Sequence, residues 1–296
     1  MHSINSIIPI RMMTLKYVKI ALFFLLAAAI AGCDGKAKKT EENAIAFDSI
    51  QVDKTYHLLM SDSNPNCNLQ IKFVYPASYK NGEILGDIQR IFVTDYFGDD
   101  YAALSPQEAV EKYVADYLAA YKDLEQDFKT DLERARTSDQ QVGAWYSYYE
   151  TSSNTITYNK NDLISFFTTL ENYTGGAHGA HAVNNHVINL KTGKPVTEQE
   201  IFVDEYQDAL AKMLVSKIVG QNQVKSPGDL ENIGFFSADE IYPNGNFRVD
   251  DEGITYTFNE YEIAAYVVGQ TQVFLPYEEL QLILRKDSPI SQLFEA

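Results

Sequence analysis

The stretch Trp145-Tyr146-Ser147-Tyr148-Tyr149, followed by Thr155-Ile156-Thr157-Tyr158 and Leu163-Ile164-Ser165-Phe166-Phe167, decides the fold class. Its period-two alternation, rich in aromatic and β-branched residues, predicts strands rather than helix. The small polar residues Ser152-Ser153-Asn154 read as a turn between the first two of them. Downstream lies a glycine-rich corner, Thr174-Gly175-Gly176-Ala177-His178-Gly179-Ala180-His181. His186-Val187-Ile188-Asn189-Leu190 then resumes strand patterning, and Lys191-Thr192-Gly193-Lys194 reads as a turn. Upstream, strands are expected at about 50–60 and 67–76. Ile84, Leu85, Ile88, Ile91 and Phe92 follow at helical spacing, with Gly98 at the end.

The clearest helix starts at Ser105. Ser105-Pro106-Gln107-Glu108 is a capping box with proline at the first helical position. Val110, Tyr113, Val114, Tyr117, Leu118, Tyr121, Leu124, Phe128 and Leu132 form one apolar stripe behind it. A second amphipathic helix is expected from Asp204, its cap, to Val219, with Gly220 as its stop. Further strands fall near 246–249, 254–259 and 272–275, and a short helix runs from Tyr277 to Leu284. Strands and helices come in unequal blocks without regular βα alternation. The expectation is an α+β fold: antiparallel sheets with amphipathic helices packed on them, in two subdomains.

The first residues place the chain in a compartment. Arg11, Lys16 and Lys19 precede an apolar run from Ile20 to Ile30, and Ala31-Gly32-Cys33 closes it. That order is the signature of an export signal. The apolar run is shorter than the roughly 20 residues a membrane-spanning helix requires. Ile30-Ala31-Gly32-Cys33 resembles the bacterial lipobox, which implies cleavage before Cys33, lipid on its sulfur, and residence in the cell envelope on the periplasmic face or cell surface. Residues 1–33 are read as the signal peptide and 34–47 as a polar tether, whose extended reach is roughly 40 Å. The membrane is then a partner through the N-terminal lipid.

The formal charge is −17. Residues 1–33 carry three basic and no acidic side chains, so cleavage leaves 21 basic and 41 acidic residues, a charge of −20. This balance argues against a nucleic-acid partner, which requires basic patches, and suits a cationic one. Once Cys33 carries lipid, Cys67 is the remaining cysteine. It follows the turn Asn64-Pro65-Asn66 and reads as a buried thiol at a strand edge.

Several C-terminal segments, in this order, carry a family resemblance: Tyr173-Thr174-Gly175-Gly176-Ala177-His178-Gly179, Asn189-Leu190-Lys191-Thr192-Gly193-Lys194, Tyr256-Thr257-Phe258-Asn259-Glu260-Tyr261-Glu262-Ile263-Ala264-Ala265-Tyr266 with Gly269, and Phe274-Leu275-Pro276-Tyr277-Glu278-Glu279-Leu280. Together they resemble the C-terminal domain of RsiV-like anti-sigma factors, and residues 48–170 look like the domain that precedes it there and in PdaC-type peptidoglycan deacetylases. The division expected is therefore 48–170 and 171–296. The resemblance implies binding of lysozyme. Deacetylase activity belongs to a separate catalytic domain that has no match here, and the sigma-binding and transmembrane parts of an anti-sigma factor are replaced by the lipid anchor. Ala265 stands where the family has proline.

The function expected is a non-catalytic binding module for a macromolecule, either a lysozyme-like cationic protein or a cell-wall component such as peptidoglycan, with no catalytic residue, cofactor or metal assigned. The binding residues expected are Gly175, Gly176, His178, His181, Tyr266 and Tyr277. The alternative is a glycan-processing enzyme using a metal on His178, His181 and His186, whose H-x2-H-x4-H spacing matches no metalloprotease helix. Asn244-Gly245-Asn246 with Asp250-Asp251-Glu252 reads as an acidic hairpin rather than a calcium loop.

Overall fold

A computed structural model describes residues 42–137 and 142–294. The expected signal peptide, Cys33 and most of the expected tether lie outside the described residues. Six strands form one sheet in the order β1-β2-β3-β4-β5-β6: β1 Ile45–His57, β2 Asn66–Tyr79, β3 Tyr148–Lys160, β4 Leu163–Tyr173, β5 Ala180–Asn189 and β6 Lys194–Pro195. All neighbours are antiparallel except β2 and β3. That parallel pair needs a crossover, supplied by α1 (Gly82–Phe97), α2 (Pro106–Lys122) and α3 (Glu125–Ala135). The mixed α+β architecture is the one expected from the uneven blocks of pattern.

The helices cover one face of the sheet. Leu69, Ile71 and Phe73 of β2 meet Ile88, Phe92 and Val93 of α1 and Ala109 and Val110 of α2 in one core. Phe92 stacks on Phe166 of β4 with ring centroids 4.1 Å apart, a pairing that adds about 0.5–1.5 kcal/mol to the burial itself. Cys67 is fully buried at the start of β2, among Leu58, Tyr121 and Phe128, and burial raises its thiol pKa.

Two local expectations are corrected. Ser152-Ser153-Asn154 is not a turn, because β3 runs straight through it. The hairpin turns instead at Asn161-Asp162, both left-handed (φ 56° and 57°), the backbone of a two-residue hairpin loop that Asn and Asp tolerate. The long stripe from Ser105 is broken at Asp123-Leu124, where Leu124 N donates to Tyr121 O in a tightened turn. The Glu125 carboxylate then accepts from Tyr56 Oη (2.7 Å) and Leu59 N (3.1 Å), which ties the start of α3 to the end of β1. The capping box at Ser105 is present.

The C-terminal part adds α4 (Glu198–Ile201), α5 (Gln207–Gln221), a three-stranded antiparallel sheet ordered β7-β8-β9 (Phe247–Val249, Gly253–Phe258, Thr271–Pro276) and α6 (Tyr277–Leu280). Here too the helix ends differ from expectation. Tyr206, not Asp204, precedes α5; its buried ring is anchored by a hydroxyl bond of 2.7 Å to Glu198. Gly220 lies inside the last turn, since Gln223 (φ 55°) takes the left-handed position and Val224 N closes on Val219 O. The helix after Pro276 stops at Leu280 rather than Leu284.

This part packs on the second face of the six-stranded sheet, over β4 and β5. Strand β8 is buried along its whole length. Ile254, Tyr256 and Phe258 point into its own core with Leu210 and Leu214 of α5. Thr257 faces the large sheet, where its hydroxyl accepts from Asn185 Nδ2 at 2.8 Å. A bulge near Thr157 lets Ile156 face the helices while Tyr158 joins the C-terminal core. Among the described residues no helix is long and apolar enough to cross a membrane.

Candidate functional site

The glycine corner joins β4 to β5. Gly175 and Gly176 adopt φ of 89° and 110°, which favour glycine. Gly179 is required for a different reason: a Cβ there would stand 2.9 Å from Asn172 O and 3.1 Å from Tyr149 Oη. The turn is closed by Tyr173 Oη donating to Gly176 O (3.0 Å). His178, exposed, has Nδ1 2.8 Å from Gly179 O, and its ring lies on Tyr266 with centroids 3.9 Å apart and planes 22° from parallel. Tyr266 Oη donates to Gly179 O (3.2 Å), and Tyr261 Oη lies 3.3 Å from His178 Nε2. Two segments 80 residues apart in sequence thus build one aromatic stack at the protein surface, with Tyr261 56% exposed.

Carboxylates flank this stack. His181 Nδ1 lies 3.1 Å from Glu260 Oε1, and its Nε2 lies 3.6 Å from Glu171 Oε1. Tyr149, stacked on Tyr173 with centroids 6.3 Å apart, donates to Glu171 at 3.1 Å. Desolvation, and then the neighbouring Glu260, raises the Tyr266 pKa. Desolvation, and then its bond to Glu171, raises that of Tyr149. Both phenols therefore stay neutral donors at ordinary pH. An exposed ring surface edged by two carboxylates is suited to a cation, through ring faces and charge together.

Five of the expected residues, Gly175, Gly176, His178, His181 and Tyr266, come together here. Tyr277 does not. It is buried in the C-terminal core, packed on Phe294, with its hydroxyl donating to Asp250 O at 3.0 Å. Glu171, Tyr149, Glu260 and Tyr261 join the site without having been singled out. Glu260 and Tyr261 stand inside the motif 256–266, but nothing in their local sequence marks them as partners of residue 178 or 181.

The three histidines do not converge. Residues 181 and 186 are an odd number of positions apart on β5, so they point to opposite faces of the sheet. His186 faces α1, stacked on Phe166 (4.8 Å), with Nδ1 3.0 Å from Asp95 Oδ2. The expectation of a shared metal through His178, His181 and His186 is corrected by that alternation. Among the described residues no group of three His, Cys, Asp or Glu side chains is placed to hold a metal ion. Asn244-Gly245-Asn246 and Asp250-Asp251-Glu252 are likewise committed to structure. Asp250 Oδ1 accepts from Glu252 N and Gly253 N to close a turn, and Asp251 accepts from Tyr158 Oη at 2.8 Å.

Comparison with known proteins agrees with this two-part build. Residues 60–181 match the family Deacetylase PdaC, and residues 199–278 match a protein family of unknown function, DUF3298. No curated protein matches the chain. A crystal structure of a DUF3298 family protein from Pseudomonas aeruginosa PAO1 shares the fold at 14% identity, with a TM-score of 0.55 over 83% of this chain and 97% of that one. A DUF3298 family member from Bacteroides fragilis is 30% identical, with a TM-score of 0.80 over 86% of this chain and the whole of its own. On that likeness, this chain belongs to the DUF3298 family.

Proposed function

We propose that this protein is a lipid-anchored, extracytoplasmic binding module whose aromatic corner captures a cationic macromolecule, with a lysozyme-like protein as the partner class. The observation that carries the reading is the surface stack of His178, Tyr261 and Tyr266 with Glu171 and Glu260 beside it. Interfaces are enriched in tyrosine at their energetic centres, and the long-range field of a −17 chain favours a basic partner. The resemblance to RsiV-like domains supports the same partner. The lipobox-like sequence at Cys33 supports an anchor in the envelope, so that the tether presents the corner to soluble proteins. The separation of the three histidines favours binding over metal-dependent glycan cleavage.

Calorimetric titration with lysozyme, comparing the wild type with Tyr266→Ala and Glu260→Gln, tests this. Tyr266→Ala removes the ring on which His178 rests, and Glu260→Gln removes one flanking charge. Each is expected to weaken binding by about tenfold or more, equivalent to roughly 1.4 kcal/mol. Wild-type affinity retained in both variants would place the partner elsewhere on the molecule.

A further inference from the structure

The two edges of the six-stranded sheet are treated differently. At one edge β6 is two residues long, and the outer side of β5 is occupied by the carboxamides of Asn246 and Asn259. At the other edge β1 runs for 13 residues without a proline. Outside its ladder with β2, residues 46–56 make no backbone–backbone hydrogen bond among the described residues. The ladder itself shows which groups are free. Val74 N donates to Asn154 on the β3 side, so the even-numbered residues of β2 turn their backbone groups toward β3 and the odd-numbered ones toward β1. Phe73, Ile71 and Leu69 therefore bond to Ile50, Val52 and Lys54, the residues opposite them. Ser49, Gln51 and Asp53 are left with N–H and C=O turned outward. Ser49 N is met only by the neighbouring Asp48 Oδ1, at 2.7 Å, as befits an outward group. A long strand with a free row of donors and acceptors is a template for another strand.

The side chains of this edge complement themselves. A second β1 laid antiparallel against the first, about a twofold axis at Gln51, sets Gln51 opposite Gln51, Ser49 opposite Asp53, Ile50 opposite Val52 and Asp48 opposite Lys54. The outward-turned Ser49, Gln51 and Asp53 then fall in the hydrogen-bonded pairs, with two backbone bonds across each. The even-numbered residues fall in the other pairs, where side chains approach most closely. These close pairs are the aliphatic contact and the opposite charges. Ile50 and Val52 are half-buried against the core under the helices, so their pairing extends that core. Asp48 and Lys54 are exposed, and among the described residues neither is in a salt bridge. The register is specific: moving the axis by one or two residues either way sets Asp48 or Lys54 opposite Ile50 or Val52. The bulge between Ala46 and Phe47 lies outside the paired stretch.

From these features we infer that β1 is a self-association edge, through which two copies of this chain pair antiparallel about Gln51 into one continuous sheet. On pairing, Asp48 of each copy leaves Ser49 N for Lys54 of the other, and the freed Ser49 N–H donates to the Asp53 carbonyl across the axis. The interface uses no residue of the corner. The test is sedimentation equilibrium of the full chain in detergent solution, for the wild type, Asp48→Lys, Lys54→Asp and the double variant Asp48→Lys/Lys54→Asp, with circular dichroism checking each fold. The wild type is expected to dimerise. Either single variant sets like charges opposite each other at both close pairs and is expected to raise the dimer dissociation constant at least tenfold. The double variant restores opposite charges and is expected to return to the wild-type constant. So is an equimolar mixture of the two single variants, because each mixed contact again joins opposite charges. A wild type that stays monomeric at millimolar concentration would overturn the inference. So would a dimer that the single variants leave unchanged, which would be held by the lipid or by another surface. Single variants that neither charge exchange nor mixing rescues would overturn it as well.

Discussion

Asn246 does at one position what a whole strand would otherwise do. Over residues 183–185 the outer side of β5 has no strand beside it, since β6 pairs only with Ile188 and Asn189. The Asn246 carboxamide fills in: its Oδ1 accepts from Asn185 N (2.7 Å) and from Asn185 Nδ2 (2.8 Å), and its Nδ2 donates to Val183 O (2.9 Å). Asn259 Oδ1 accepts from Val183 N at 2.8 Å. The same device appears where β2 and β3 part company, with Asn154 exchanging two bonds of 2.7 Å with the Val74 backbone. A primary amide has the donor and acceptor of a peptide group, so asparagine can extend a ladder past the end of a strand. Asn246→Ala leaves the Asn185 amide N–H and the buried Asn185 side chain short of a partner. It is expected to lower unfolding free energy by about 2–3 kcal/mol, read as a shift in the urea midpoint at constant slope. In sequence, Asn244-Gly245-Asn246 reads only as a turn, because the partner backbone is 61 residues away.

At the scale of elements, local signals proved readable and distant ones did not. The capping box at Ser105 and the helix near Ile84 depend on neighbours within a few residues, and both are where the sequence puts them. The unbroken course of β3 through Ser152-Ser153-Asn154 depends on β2 and β4 pairing with those residues, and the start of α5 depends on Glu198 binding Tyr206. Half of the candidate site was legible for the same reason: the glycines and histidines mark themselves, while Glu171 and Glu260 become site residues only when β4 and the 259–266 loop meet at His181. The packing of α2 on β3 has its own consequence. Glu150 is buried beneath α2, hydrogen-bonded by Tyr113 Oη at 2.7 Å, with no salt bridge among the described residues. Burial raises its pKa, and the Tyr113 bond only partly opposes this. The folded state therefore holds a proton that the unfolded chain releases near pH 4.3. The stability this group contributes is complete below that pH and is lost as pH rises through the raised value, then levels off. Glu150→Gln is expected to flatten that fall and to match or exceed the wild type at neutral pH, in urea unfolding from pH 4 to pH 8. A steeper fall in the variant would contradict the assignment.

On the scale of the whole molecule, two cores are joined by a polar seam. The seam of Ser165, Asn185, Asn246 and Thr257, with Ser165 Oγ donating to Val249 O at 2.7 Å, fixes the C-terminal sheet on β4 and β5. That fixed placement brings Tyr261 and Tyr266 against His178 and leaves the same face of β1, β2 and the first part of β3 uncovered. The DUF3298 family members of known structure share the overall fold. Composition suggests a cationic partner but not a place for it to dock; the proposed place exists only through the meeting of residues 173–181 with 259–266. The central claim, capture of a cationic protein by an acidic module, is tested most directly by the salt dependence of lysozyme affinity. Raising ionic strength from roughly 0.01 M to 1 M shortens the screening length from about 30 Å to about 3 Å. Affinity is predicted to fall by at least tenfold over that range. Absence of binding at low salt, or an affinity that salt leaves unchanged, would contradict it.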